Sequence, residues 1–220
     1  MFQGFNEATI EYWKKIKLDN SKENYKSLQE LYNMGIKNPM EELYYDLLEY
    51  FEGIDSDMNF RKSSCISSPY NDTRFCGSSP MKEYIYVRFK LRKSRKDNVV
   101  GFYFDASETC FRYGINIYNL NAHGMEQIRG EILRDEENAR EIIQWINEDH
   151  VLEVSGERYK REYYPDKDEG IRDWLERKSI HFVHEEPVGE VFFQRILLEN
   201  MRETFGKSLD LYFMLKHALR

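Results

Sequence analysis

Three stretches, residues 84–91, 100–105 and 111–118, alternate strictly between apolar and polar side chains. That period leaves little choice of fold, because successive side chains of an extended chain point to opposite faces and only half-buried antiparallel strands profit from it. One face carries Ile85, Val87, Phe89, Leu91, Val100, Phe102, Phe104, Phe111, Tyr113, Ile115 and Ile117. So large an apolar set must be covered. The opposite face carries Tyr84, Tyr86, Arg88, Lys90, Gly101, Tyr103, Asp105, Arg112, Gly114, Asn116 and Tyr118, a mixture of phenols, cations and glycines.

The flanking sequence supplies the cover. Residues 6–18 place Thr9, Tyr12, Trp13 and Ile16 at helical spacing with lysines outward, which predicts an amphipathic helix. A second helix is expected after Asn20 and Glu23, carrying Tyr25, Leu28, Leu31 and Tyr32 and stopping near Gly35. Asn38-Pro39 with Glu41 reads as a cap and start for a third, running to Phe51. Residues 59–68 read as a first strand, and the proline-bounded stretch 69–80 as loop. Residues 92–98 form a charged connection between strands, best read as a solvated hairpin tip.

Beyond the alternating strands, Asn121 is expected to cap a helix with Met125, Ile128 and Ile132, followed by another over residues 137–148. Residues 151–162 suggest a hairpin turning at Ser155-Gly156, then a short helix after Asp168, a strand over 180–183, and closing helices opened by Pro187. No repeat or linker divides the chain. Helices, then an antiparallel sheet, then helices predict one α+β domain over residues 1–220, its sheet covered on one face from both termini.

Charge separates this sheet from the rest. The 220 residues carry a net charge of −7, yet residues 59–120 hold eleven Lys and Arg against five Asp and Glu. A cationic segment in an acidic protein can focus a small anionic ligand, whereas the overall sign argues against a nucleic-acid partner. No apolar run is long enough to cross a bilayer and Met1-Phe2-Gln3-Gly4 opens no signal peptide, so no membrane partner and a cytoplasmic location are expected. Cys65, Cys76 and Cys110 lack metal-ligand spacing and suit reduced thiols.

Several segments together resemble one family. They are Phe2-x-Gly4-Phe5, Asn20 to Tyr25, Pro39, the central Asp72-Thr73-Arg74-Phe75 with Pro80 and Lys82, Gly114, Ile128-Arg129, and Trp174-Leu175 with Lys178. The chain is similar along nearly its whole length to the "domain of unknown function 2461" proteins. The resemblance implies a single α+β domain and brings no activity with it. Where that family carries arginines beside the central motif, this chain has Asn71 and Ser68.

The candidate site follows from the cationic face and the central motif. Asp72, Arg74 and Lys82 flank the loop that feeds the sheet, and an arginine fork beside a lysine suits phosphate or carboxylate. An Asp72 to Arg74 pair that only fixes the loop is the simpler account. Tyr86, Arg88, Tyr103 and Arg112 share the non-core face, and Arg129 would join them if its helix crossed the sheet. His181 and His184 would point to opposite sides of a strand and are not expected to bind metal. Cys76 has no histidine placed beside it and reads as an incidental thiol. No phosphate-cradling loop, nucleophile elbow or dinucleotide fingerprint is present, so no cofactor is expected and the sequence names no reaction. Two readings stand: binding of a small anionic ligand on the tyrosine-rich cationic face, with or without turnover, or docking of a protein partner through Tyr84, Tyr86, Tyr103 and Arg88.

Overall fold

A computed structural model describes residues 1–72, 74, 79–92, 98–149 and 152–220. Cys76 and the centre of the charged 92–98 connection lie outside the described residues. The fold is α+β around an open antiparallel sheet of order β1-β2-β3-β5-β4. Its strands are β1 (Tyr84–Lys90), β2 (Val99–Ser107), β3 (Cys110–Tyr118), β4 (Glu153–Ser155) and β5 (His181–Pro187). All eleven apolar positions predicted for the core face are buried. Chain contacts group the residues into two compact units, the first comprising 1–89, 103–113 and 185–202 and the second 90–102, 114–184 and 203–220.

In the first unit, helix α1 (Glu7–Leu18) starts at a capping box: the Asn6 side chain accepts from the Ala8 N–H and the Thr9 hydroxyl accepts from the Asn6 N–H. It buries the predicted Thr9, Tyr12, Trp13 and Ile16. Helix α2 (Lys22–Ser27) is capped by Ser21 rather than Asn20, and α3 (Gln29–Tyr32) follows after one residue. The expected stop at Gly35 does not occur. The chain widens instead into a π-helical turn, Asn33–Lys37, closed by the Asn38 N–H on the Asn33 carbonyl, and runs straight on as α4 (Asn38–Glu52).

Glycine is needed at 35 for approach rather than termination, since a Cβ there would meet the Ala8 carbonyl carbon at 2.5 Å. Asn38 is accordingly helical and caps nothing. The apolar strand face of this unit is covered by Phe5, stacked 5.7 Å from Phe104 and 4.6 Å from Phe192, and by Tyr44 and Phe51, 5.8 and 5.0 Å from Phe89. Residues 59–68 are not a strand. They form the short helix α5 (Lys62–Cys65) and then single antiparallel bridges, Ile66 to Val87 and Tyr70 to Met81, so the segment lies along the edge of β1 without becoming a ladder.

In the second unit, α6 (Ala122–Arg134) is capped by Asn121 as expected and is followed by α7 (Glu136–Asp149). The hairpin predicted at Ser155-Gly156 is absent, because β4 pairs with β5 through Ser155 and His181 rather than with the residues that follow it. Helix α8 (Glu169–Leu175) starts from the Asp168 cap. Pro187 ends β5 instead of opening a helix, and a 3-10 turn in the first unit, Glu190–Phe193, separates it from α9 (Ile196–Lys207); α10 (Leu209–Ala218) ends the chain. Phe102 packs 5.1 Å from Phe205 and 4.8 Å from Tyr212. Gly114, at φ 155°, lets β3 approach β5 closely, its missing Cβ falling 2.3 Å from the Phe182 carbonyl oxygen.

Candidate functional site

The first unit contains a cavity of about 710 Å³. Its walls are the consecutive helices α2 and α3, contributing Tyr25 and Tyr32, the π-helical turn and the first turn of α4, contributing Ile36, Lys37, Met40 and Glu41, and the irregular residues 61–69. The irregular wall exists because its sequence has no alternation to sustain a strand: Ser63, Ser67 and Ser68 stand where apolar residues would have to alternate. The π-helical turn is the other cause. Its carbonyls at Met34 and Gly35 accept from the side chains of Asn6 (3.1 Å) and Thr9 (2.6 Å), which holds the widened turn against α1. π-helical turns of this kind recur at functional sites.

The charges around the cavity are unevenly satisfied. Glu41 is paired with Lys62 at 2.9 Å, and the same ammonium lies 5.2 Å from the Tyr45 ring centre. That hydrogen bond to Glu41 raises the Lys62 pKa, so Lys62 stays charged and engaged. Lys37 and Arg61 have no ion-pair partner among the described residues. The phenols add donors without adding charge. Burial pushes the pKa of Tyr25 and of Tyr32 above the ordinary tyrosine range, with neighbouring tyrosines acting in the same direction. Their rings meet edge to face at 5.4 Å, and Tyr25 meets Tyr70 likewise at 5.5 Å.

None of the eight residues singled out from sequence is among the described residues lining this cavity. Three of them stand directly behind its wall. The Arg88 guanidinium lies 4.4 Å and the Lys82 ammonium 5.2 Å from the centre of the Tyr86 ring. Lys82 donates to the Ser68 carbonyl at 3.0 Å, and Ser67 exchanges hydrogen bonds with the Tyr86 backbone at 2.9 and 3.1 Å. Lys82 and the Tyr86 backbone thus brace Ser68 and Ser67, which line the cavity. Arg74 makes a two-point contact with Asp72, with its side chain 78% exposed, which is the arrangement of a loop-fixing pair in water.

Tyr103 is half-buried on the same strand face as Asp105, whose carboxylate accepts from Arg112 at 2.8 Å. Burial raises the Asp105 pKa despite that guanidinium, with Glu185 adding to the rise. A folded-state pKa above the unfolded one contributes stability that is present at low pH and lost as pH rises. In denaturation midpoints measured against pH, the advantage of the wild type over Asp105→Asn is therefore expected to shrink as pH climbs out of the acid range. An advantage that grows with pH would reverse the assignment.

Arg129 belongs to the second unit and is buried there. Its guanidinium donates to the carbonyls of Leu175 (2.9 Å) and Arg177 (2.6 Å) and to the Tyr159 hydroxyl (3.2 Å). Cys65 donates to the Asn59 carbonyl, and burial pushes its thiol up to about 11, which argues against a nucleophile. Among the described residues no cluster of His, Cys, Asp or Glu is placed to hold a metal ion, and no helix is long and apolar enough to cross a membrane.

The sequence reading missed Lys37, Arg61, Tyr25 and Tyr32 as site residues. Both tyrosines sit at helical spacing and read as core. Only the loss of alternation over 61–68 signalled that this segment does something other than extend the sheet. In comparisons with known proteins, the model of the family described as "Conserved hypothetical protein (DUF2461)" matches residues 8–213. No curated protein matches the chain.

Proposed function

This chain belongs to the DUF2461 family, and we propose that within that fold it binds a small anionic ligand in the cavity of its first unit. One observation carries the reading: Lys37 and Arg61 line a cavity of about 710 Å³ without an ion-pair partner among the described residues, the carboxylate of Glu41 in the same lining being paired with Lys62. An exposed cation costs little by itself, but two of them lining one concave surface beside apolar and aromatic side chains is a pattern that suits an anion seat. The neutral phenols of Tyr25 and Tyr32 supply further donors. Lys82, just before β1, and Arg88 within it add positive potential from behind the wall without forming its surface. The concavity favours a small molecule over a protein partner, for which a flat exposed face is the usual platform.

The test is thermal unfolding in phosphate against chloride at equal ionic strength, since a ligand that binds only the folded state raises its stability by mass action. The wild type is expected to gain a phosphate-specific increment in melting temperature. Lys37→Ala and Arg61→Ala should each lose most of it, Arg88→Ala part of it, and Arg74→Ala none. Increments that survive in both cavity variants would overturn the proposal.

A further inference from the structure

We infer that the occupant of this cavity is an aromatic monocarboxylate, a flat ring system bearing one carboxylate, rather than an inorganic anion, a nucleotide or an aliphatic acid. The inference rests on the anion-binding reading above and sharpens it in three steps. Size comes first. At roughly 30 Å³ per water, a cavity of about 710 Å³ has room for far more than a phosphate ion, which would leave most of the apolar wall wet. Volumes of this order are those of small-molecule sites, here an open cleft at which Lys37 and Arg61 stay exposed.

The second step is charge. Among the described lining residues, two cations are without an ion pair, and the carboxylate, Glu41, is held by Lys62 at 2.9 Å. Lys37 and Arg61 together match a single carboxylate, which an arginine fork can take at two points. Lys82 and Arg88 act from behind the wall, so among the described lining residues a polyphosphate would have only Lys37 and Arg61 as cations without an ion pair to contact directly. No glycine-rich loop is present to add backbone donors for phosphates.

The third step is shape. Tyr25 and Tyr32 both line the cavity and meet at 72° between ring planes, with Tyr70 packed on Tyr25 and Tyr12 on Tyr32, so one wall is built from clustered aromatic rings, the kind of surface on which a further aromatic group packs. Ile36, Met40, Ile66 and Pro69 complete an apolar lining with no charge among them. An aromatic body against these apolar and aromatic residues, with its carboxylate turned to Lys37 and Arg61, matches both the rings and the two cations of the lining.

Titration calorimetry with 2-naphthoate, its neutral counterpart 2-naphthamide, octanoate and inorganic phosphate tests this on the full chain. The expected result is that 2-naphthoate binds at least about tenfold tighter than each of the other three, a difference of about 1.4 kcal/mol. Arg61→Met should bring 2-naphthoate down to the level of 2-naphthamide. Ile66→Trp, which fills the apolar side, should abolish 2-naphthoate binding while keeping the phosphate increment, and that increment shows the variant folded. Octanoate or 2-naphthamide binding as tightly as 2-naphthoate would overturn the inference. If phosphate binds and 2-naphthoate binds no better, the inference falls while the anion seat stands; if neither binds, both fall.

Discussion

Phe102→Ala is expected to destabilise the protein by about 3–5 kcal/mol, the range for deleting a fully buried phenylalanine from a packed core. Phe102 is completely buried in β2 and its ring meets those of Phe205 in α9 and Tyr212 in α10. Truncation removes the transfer free energy of the ring and leaves a void that two other aromatics line. The loss therefore includes a cavity contribution, because helices packed on a strand cannot collapse far enough to fill it. Chemical denaturation gives the number directly. A change within about 0.5 kcal/mol would mean that β2 presents its other face to the core.

The second large effect is expected at Arg129. Its guanidinium reaches the Leu175 carbonyl at the end of α8, an acceptor that the helix itself cannot satisfy, and the Arg177 carbonyl just beyond. A cation there also faces the negative end of the helix dipole. Arg129→Ala strands the buried Leu175 carbonyl and leaves the part-buried Arg177 carbonyl and Tyr159 hydroxyl to water, and at about 1–3 kcal/mol for a buried group left unpaired the expected loss is about 2–3 kcal/mol. Arg129→Lys should recover only part of it, since one ammonium cannot span the acceptors that a planar fork does. The phosphate-specific increment should be untouched in both. A variant that keeps its stability but loses that increment would make Arg129 a ligand residue, as the sequence had suggested.

These two residues mark where the sequence is informative and where it is not. Phe102 was legible because alternation is a local property: side chains two residues apart share a strand face wherever the strand goes, so the core face could be listed residue by residue. The helices around Tyr12, Leu43 and Ile128 were legible for the same reason. Arg129 was assigned to the right helix and to no definite neighbour, since its partners lie 46 and 48 residues away and no local pattern announces them. The strand predicted at 59–68 failed because its partner was real but its continuity was not; Ile66 bridges Val87 in β1, Tyr70 bridges Met81 ahead of that strand, and residues 61–69 form a wall instead of a ladder.

The residue pattern alone determined that the chain folds as α+β, which strand faces are buried, and that its positive charge is concentrated around the sheet. Those follow from periodicity and composition, which need no knowledge of distant contacts. The position of the cavity was decided only by tertiary structure. Gly35 reads as a helix stop in isolation, yet its bare Cα allows α1 to approach, the turn around it widens instead of ending, and Lys37 is delivered to the same hollow as Arg61. Whether a glycine ends a helix or admits a neighbour depends on whether another backbone arrives within about 3 Å of where its Cβ would stand, and that is settled by packing across 27 residues of sequence, from Ala8 to Gly35.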